Sequence, residues 1–163
     1  MDAIQVLKAQ HQEVDELFSQ FEKARTRKMA IARQICEKLS IHDKIERDIF
    51  YPAVLENEEI KDQILEGLEE HHLVQILLKQ ISDIDESDET FEAKVTVLKE
   101  IVQHHVEEEE KELFKAVRKA MDKATLNELG ARLEEATRKL QQQEPEVTIT
   151  MLSEVTLETP KMG

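Results

Sequence analysis

Leu39 to Pro52 reads L-S-I-H-D-K-I-E-R-D-I-F-Y-P, and Val102 to Lys115 reads V-Q-H-H-V-E-E-E-E-K-E-L-F-K. Both stretches carry a histidine, three residues, a glutamate, three residues, and then two large apolar or aromatic residues. These are His42, Glu46, Phe50 and Tyr51, and then His105, Glu109, Leu113 and Phe114. On an α-helix, positions i and i+4 stand one above the other on the same face. An imidazole and a carboxylate stacked in this way and turned toward a core suggest a metal site, provided that other parts of the chain bring further donors to the same place.

Composition narrows the setting. A chain of 163 residues is long enough for one domain with a core of its own. With 3 Gly, 3 Pro and 36 % charged residues, it has the make-up of a helical protein with few turns. The net charge of −14 disfavours a nucleic-acid partner, because phosphate binding needs clustered Lys and Arg. Most of the carboxylates form the wet faces of helices, although the excess favours cations. The single cysteine, Cys36, excludes an internal disulfide and fits a reducing compartment. The N-terminus M-D-A-I-Q-V-L-K-A-Q lacks a basic segment followed by an unbroken apolar one, and no run approaches the roughly 20 apolar residues of a membrane span. A soluble, cytoplasmic protein without a membrane partner is expected.

Periodicity predicts the elements in turn. Asp2, with Gln5 three residues on, caps a first helix whose stripe carries Val6, Leu7, His11, Val14, Leu17, Phe18 and Phe21. A second helix from about Met29 turns Ile31, Ile35, Leu39, His42, Ile45, Glu46, Ile49 and Phe50 inward, and Pro52 kinks or ends it. Asn57 caps a third with Ile60, Ile64, Leu68, His71, Val74, Leu78 and Ile81. After the acidic turn Asp83 to Glu89, Thr90 caps a fourth bearing Val95, Leu98, Ile101, Val102, His105, Glu109 and Leu113. Thr125, with Glu128 three later, opens a fifth helix. The expected fold is all-α: an up-down-up-down four-helix bundle over residues 1–122, a fifth helix over 123–144 and an extended tail over 145–163. The β-branched tail could lie as a strand on the bundle, pair with another chain, or be loose. The oligomeric state is left open, a dimer through the tail included.

An internal repeat ties helices one and two to helices three and four, since His11-x-x-Val14-x-x-Leu17-Phe18 matches His71-x-x-Val74-x-x-Leu77-Leu78. Heights agree as well. His11 and His42 are symmetric about the first turn, Glu46 and His71 about a point beside the second, and His71 and His105 about the third. Each arm is about 15 residues, or ~23 Å at 1.5 Å per residue. Antiparallel neighbours therefore bring His11, His42, Glu46, His71, His105 and Glu109 into one layer. His72 and His104 fall off the apolar stripes and are set aside.

A single inward histidine is usually a hydrogen-bonded core residue. Six polar groups in one layer are different, because two buried carboxylates without a counter-charge cost several kcal/mol each. No Lys or Arg shares those stripes at that height. A metal cluster would neutralise the carboxylates and use the imidazoles. Nitrogen and carboxylate donors without thiolates point to iron, manganese or zinc. Six donors exceed what one tetrahedral zinc takes and suit two metals. The spacing assigns His11 and His42 to one and His71 and His105 to the other, with Glu46 and Glu109 as bridges. Only Glu69/His72 has the Glu-x-x-His spacing of ferritin-type di-iron proteins, so that class does not fit.

The paired H-x3-E-x3-[FL]-[YF] motifs, the H-x-x-V motifs and Tyr51-Pro52 resemble the haemerythrin-like, or HHE cation-binding, family over about residues 2 to 120. The resemblance implies two iron ions (Fe2+/Fe3+), joined by an oxo or hydroxo bridge and held by those six residues. It also implies reactions with O2, H2O2 or NO. Gln75 stands where the oxygen carriers of the family have a further histidine, and Glu109 follows His105 by four rather than five residues. Open or water-filled positions on both irons, and redox turnover rather than reversible oxygen carriage, would follow. The C-terminal extension resembles that of actinobacterial members, some of them catalase-like.

The function expected is catalase-like turnover of peroxide, or related reduction of peroxide or nitric oxide. The alternatives are an oxygen or nitric oxide binding or sensing protein and an iron donor for iron-centre repair. Tyr51, Asp15 and Gln75 are candidates to orient an imidazole or act as spare ligands. For Tyr51, packing in the core as a helix-end aromatic is the stronger expectation.

Overall fold

The computed structural model describes residues 1–143, so the expected tail over 145–163 lies outside the described residues. Five helical arms are present and, among the described residues, no strand. α1 is Ala3–Lys23. α2 runs Lys28–Ile45, widens into a π-helical turn over Glu46–Phe50 and closes with Tyr51–Val54. α3 is Glu58–Asp83. α4 repeats the plan of α2, with Phe91–Glu108, a π-helical turn over Glu109–Leu113 and then Phe114–Ala120. α5 is Lys123–Gln141.

Helix starts follow local chemistry. Asp2 and Gln5 form a reciprocal capping box, so two otherwise orphaned N–H groups at the start of α1 are satisfied. Asn57 caps α3 through the Glu59 N–H. Two expected caps differ. Thr90 makes no side-chain cap; instead Asp88 accepts from both the N–H and the hydroxyl of Thr90 and ties down the turn before α4. Asp122, not Thr125, opens α5, accepting the Thr125 N–H at 2.8 Å. A carboxylate presents two acceptor oxygens where a hydroxyl presents one, and it also complements the helix dipole.

Pro52 neither ends α2 nor produces a plain kink. The turn before it is already π-helical, with the Tyr51 N–H bonded to the Glu46 carbonyl five residues back. α4 does the same without a proline, Phe114 N–H to Glu109 carbonyl. In each arm the wide turn starts at the glutamate of the sequence motif. Five residues of regular α-helix turn through about 500°, which would carry Tyr51 and Phe114 well away from the glutamate face. The π-helical turn stacks residue i+5 over residue i and returns both rings to the interior. Tyr51 and Phe114 are buried accordingly.

Two apolar cores result. One, built around Ile4, Leu7, Phe50, Ile60, Ile64, Phe114 and Val117, extends to Leu126, Leu129 and Leu133 of α5. The other holds Phe18, Phe21, Ile35, Leu78, Ile81, Phe91 and Leu98. Between them lies the layer of polar side chains that the sequence arms place at one height. α5 packs across the bundle with Gly130 against the backbone of Met1 to Ala3, where a Cβ would fall 2.2 Å from the Met1 carbonyl oxygen.

Candidate metal centre

All six expected donors are buried and meet in the middle layer. His11, His42, Glu46 and Glu109 each offer an atom within 4.8 Å of the others, and so do Glu46, His71, His105 and Glu109. The two groups share the glutamates, so the geometry is a pair of four-donor pockets with two common carboxylates. His11 Nε2 lies 3.2 Å from His42 Nε2, and His71 Nε2 lies 3.0 Å from His105 Nε2. Glu109 spans the pair, with Oε1 3.2 Å from His11 Nε2 and Oε2 3.2 Å from His105 Nε2. Glu46 stands against His42 Nε2.

The outer nitrogens determine what the inner ones can do. His42 Nδ1 donates to Gln10 Oε1 at 2.7 Å, His71 Nδ1 to Asp43 Oδ1 at 2.5 Å, His105 Nδ1 to Glu70 Oε1 at 3.1 Å and His11 Nδ1 to Glu110 Oε2 at 3.1 Å. Every partner is an acceptor; even Gln10 has its amide nitrogen committed to Thr137 Oγ1 of α5. Each imidazole is thus served by the preceding helix in a closed ring: α1 to α2, α2 to α3, α3 to α4, and α4 back to α1. With the proton on Nδ1, a neutral ring presents a bare lone pair at Nε2. Four such lone pairs converge on two carboxylates. Glu46 Oε1 and Oε2 and Glu109 Oε1 are buried without a hydrogen-bond partner. Donors so arranged repel one another unless cations or protons stand between them, and the residues therefore fit a metal pair.

Charge balance in the protein alone shows the same need. Burial opposes protonation of His11, yet Glu109 and Glu110 outweigh it and raise its pKa to about 9. His105 is likewise raised well above the usual range, against burial, by Glu109 and Glu70. Glu109, despite burial, is held well below the carboxylate range by His105 and His11. Burial and the neighbouring Glu109 push Glu46 up to about 8, while burial and the charge on His11 push His42 down to about 3. Protonation of His11, His105 and Glu46 offsets part of the repulsion that a cation would relieve.

Residues 2–117 match the Hemerythrin HHE cation binding domain. The chain belongs to the hemerythrin HHE cation-binding family and is a metal-binding, hemerythrin-like protein. A crystal structure of a hemerythrin HHE cation-binding domain-containing protein from Mycobacterium kansasii superposes with a TM-score of 0.75 at 24 % identity. That match covers 93 % of this chain and 99 % of the other, a share that the four-helix segment cannot supply without the fifth helix. A protein of Nostoc sp. (strain PCC 7120) described as a DNA nickase is 27 % identical over 150 residues. The alignment takes in 87 % of this chain but only 41 % of that relative's length.

The secondary candidates fare differently. Tyr51 is in the core as expected, but its hydroxyl also donates to Glu109 Oε2 at 2.7 Å and lies 3.1 Å from His71 Nε2. Gln75 is buried and acts one step removed, donating to Asp43 Oδ2 at 2.7 Å. Asp15 is exposed and accepts from Gln103, away from any imidazole. Asp43, Gln10, Glu70 and Glu110 were not picked out from the sequence. Three of them flank one of the four buried histidines directly, Gln10 before His11, Asp43 after His42 and Glu70 before His71, and a hundred-degree step aims each at the next helix's imidazole. Polar residues adjacent to inward histidines are the available signal.

Proposed function

We propose that the chain is a non-haem di-iron protein that turns over small oxidants, with peroxide as the leading substrate. The observation that carries this reading is the pair of four-donor pockets sharing Glu46 and Glu109. One metal would take His11 and His42 and the other His71 and His105, leaving positions for exogenous ligands on both. Iron held there would supply electron exchange with a small oxidant. The donor set alone would also admit manganese or zinc.

The chain's own residues limit what can approach. On the side of the imidazoles away from the glutamates, Val14, Leu39, Val74 and Val102 stand one turn from His11, His42, His71 and His105 respectively. With Val106 they enclose a cavity of about 30 Å³, room for a molecule of two or three heavy atoms. The narrow, largely aliphatic wall limits the size of what can approach. Below the layer, the Tyr51 hydroxyl keeps its proton, because burial and the Glu109 charge raise its pKa well above the usual range. It fixes Glu109 Oε2 by donation, so this carboxylate keeps one orientation while the charge at the centre changes.

Oxygen release after peroxide is added to iron-loaded protein tests the reading. Release well above that of the His105→Ala variant is expected, and equal rates would end it. The apolar lining of the cavity favours a second reading, binding or sensing of O2 or NO, which requires a reversible spectrum without turnover. An iron donor must release its metal readily, whereas all six donors here are buried. The nickase description of the Nostoc relative is not carried over, since a net charge of −14 opposes a polyphosphate backbone. No helix among the described residues is long and apolar enough to cross a membrane. Cys36 is buried, and burial pushes its thiol up to about 12.

A further inference from the structure

We propose that cations reach the centre through the seam between α3 and α4, over Gly67 and between the carboxylates of Glu66, Glu70, Glu108 and Glu112. A cavity of about 30 Å³ opens there, lined by these residues and floored by Tyr51, His105 and Glu109. Five carboxylates line it, Glu109 included, and no lysine or arginine does. At its inner end is Glu109, 3 % exposed, with Oε1 lacking any hydrogen-bond partner. A buried carboxylate with one oxygen free of hydrogen bonds, at the end of an acidic passage, attracts a cation more strongly than the rim does, because the surrounding dielectric falls along the way.

Gly67 forms the threshold. It is buried in the middle of α3, where glycine costs about 1 kcal/mol relative to alanine. A Cβ there would stand 3.3 Å from His105 Cε1 and 3.7 Å from the Tyr51 hydroxyl, closing the space above two residues of the centre. At the outer end, Glu70, His104 and Glu108 offer atoms within 4.8 Å of one another, with His104 Nε2 3.2 Å from Glu108 Oε1. This trio gives an entering ion a place to shed part of its hydration shell. The opposite approach, through the aliphatic cavity, has one carboxylate in its lining, Asp43, which already accepts from Arg47, His71 and Gln75. Small oxidants and metal ions would then use opposite faces of the layer.

The inference rests on the metal-centre reading, and one experiment separates the two. Metal-free protein is mixed anaerobically with Co2+ and uptake is followed by visible absorption, to the endpoint and in time. Three proteins are compared: wild type, the route variant Glu66→Gln/Glu108→Gln/Glu112→Gln, and a control variant Glu13→Gln/Glu16→Gln/Glu37→Gln that removes the same charge from the exposed surface of α1 and α2. Glu70 is left intact because it also holds His105. Uptake by the route variant is expected to slow roughly tenfold or more, the control to change less than about twofold, and all to reach two Co2+ per chain. The slowing should shrink as ionic strength rises. Equal rates in the two variants, or a route variant as fast as wild type, overturn the route alone. A wild-type chain that takes up no cation overturns both readings. Gly67→Ala gives an independent check: slower loading at a preserved endpoint supports the threshold, and unchanged loading removes it.

Discussion

His11 and His42 stand on one side of the centre with Gln10, Glu110 and Phe114 around them; His71 and His105 stand on the other with Asp43, Glu70 and Tyr51. The sequence repeat makes the two sides alike in what faces the metal positions. They part in what stands behind. On the α3/α4 side both imidazoles donate to carboxylates, and a tyrosine hydroxyl reaches Glu109 and His71. On the α1/α2 side one imidazole donates to a carboxylate and the other to an amide, and Phe114, the counterpart of Tyr51, stacks on His11 at 6.0 Å with no polar atom to offer. A carboxylate behind an imidazole raises its basicity and strengthens it as a donor. With a metal in each pocket, as proposed, the α3/α4 position would favour the more highly charged ion; the repeat supplies two pockets and their surroundings make them unequal.

Removing Asp43 should break the comparison most severely. Asp43 is 6 % exposed and accepts from His71 Nδ1, Gln75 Nε2 at 2.7 Å and Arg47 Nε at 2.9 Å. Burial alone would raise its pKa, but His71 and Arg47 hold it low, so it is a buried anion with its partners assembled. Asp43→Ala strands those partners and should lower the stability of the metal-free protein by about 3–5 kcal/mol in urea titrations. Affinity at the α3/α4 position should fall about 10- to 100-fold, with the α1/α2 position much less affected. Equal loss at both positions would mean that the inequality originates elsewhere.

The metal-free protein offers a second way to sharpen the contrast, through pH. Glu46 is raised from 4.5 to about 8, so the stability tied to its proton is lost as pH climbs through that window. His11, raised from 6.5 to about 9, contributes stability present below 6.5 and lost on the way to 9. His42, lowered from 6.5 to about 3, works in the opposite sense between those values, adding stability as pH rises from 3 to 6.5. Above pH 6.5 the first two act together without opposition from the third. The melting temperature without metal should drop by several degrees between pH 6.5 and 9, and the gain on adding metal should widen over the same range, because the metal displaces those protons. Calorimetry with and without metal reads both; a gap that stays constant would show that protons and metal do not compete for these atoms.

How far the sequence revealed this can be judged from the same residues. The meeting of these six side chains in one buried layer was legible because several conditions converged: apolar periodicity in all six, i+4 spacing in His42/Glu46 and His105/Glu109, and matched distances of the histidines and Glu46 from three turns. Each is a property of chain geometry that a sequence carries directly. The π-helical turns after Glu46 and Glu109 were not legible, because hydrogen bonds one residue longer than in an α-helix leave no compositional trace; Pro52 marks one turn and nothing marks the other. Tyr51 shows the consequence. At five residues from Glu46 it counts as off-face in a regular helix, and only the wide turn brings its hydroxyl to Glu109. Asp43 and Glu70 were hidden for another reason: each is the sequence neighbour of one buried histidine but serves the imidazole of the next helix, a relation that appears only once the bundle is closed.

Tyr51→Phe would make the two sides more alike. It removes a buried hydrogen bond to an ionised carboxylate, for a loss of about 1.5–3 kcal/mol in the metal-free protein. With metal bound, Glu109 would be held by the metal as well as by the Tyr51 hydroxyl, so the stability difference from wild type should narrow. Comparing thermal unfolding with and without metal tests this; an undiminished loss in the metal-bound form would place the hydroxyl among purely structural contacts.

Gln10→Glu is the gentlest change and the most direct test of the inequality, since it gives the α1/α2 side the carboxylate it lacks. The new oxygen can take the His42 Nδ1 proton as Gln10 Oε1 does now. The cost falls on Thr137, whose hydroxyl at present donates to the Leu133 carbonyl and accepts from the Gln10 amide. Losing that contact should cost about 1 kcal/mol, too little to disturb the bundle. A stronger His42 donor favours ferric over ferrous metal, and each tenfold gain in that preference lowers a one-electron potential by about 59 mV. Redox titration should therefore find Gln10→Glu below wild type and Asp43→Asn above it, and Mössbauer spectra of the half-reduced protein should show ferric character confined to one side in wild type and shared in Gln10→Glu. Were the two variants to move the potential in the same direction, the shifts would reflect general disturbance of the layer, and the partners behind the imidazoles would not be what sets the two halves apart.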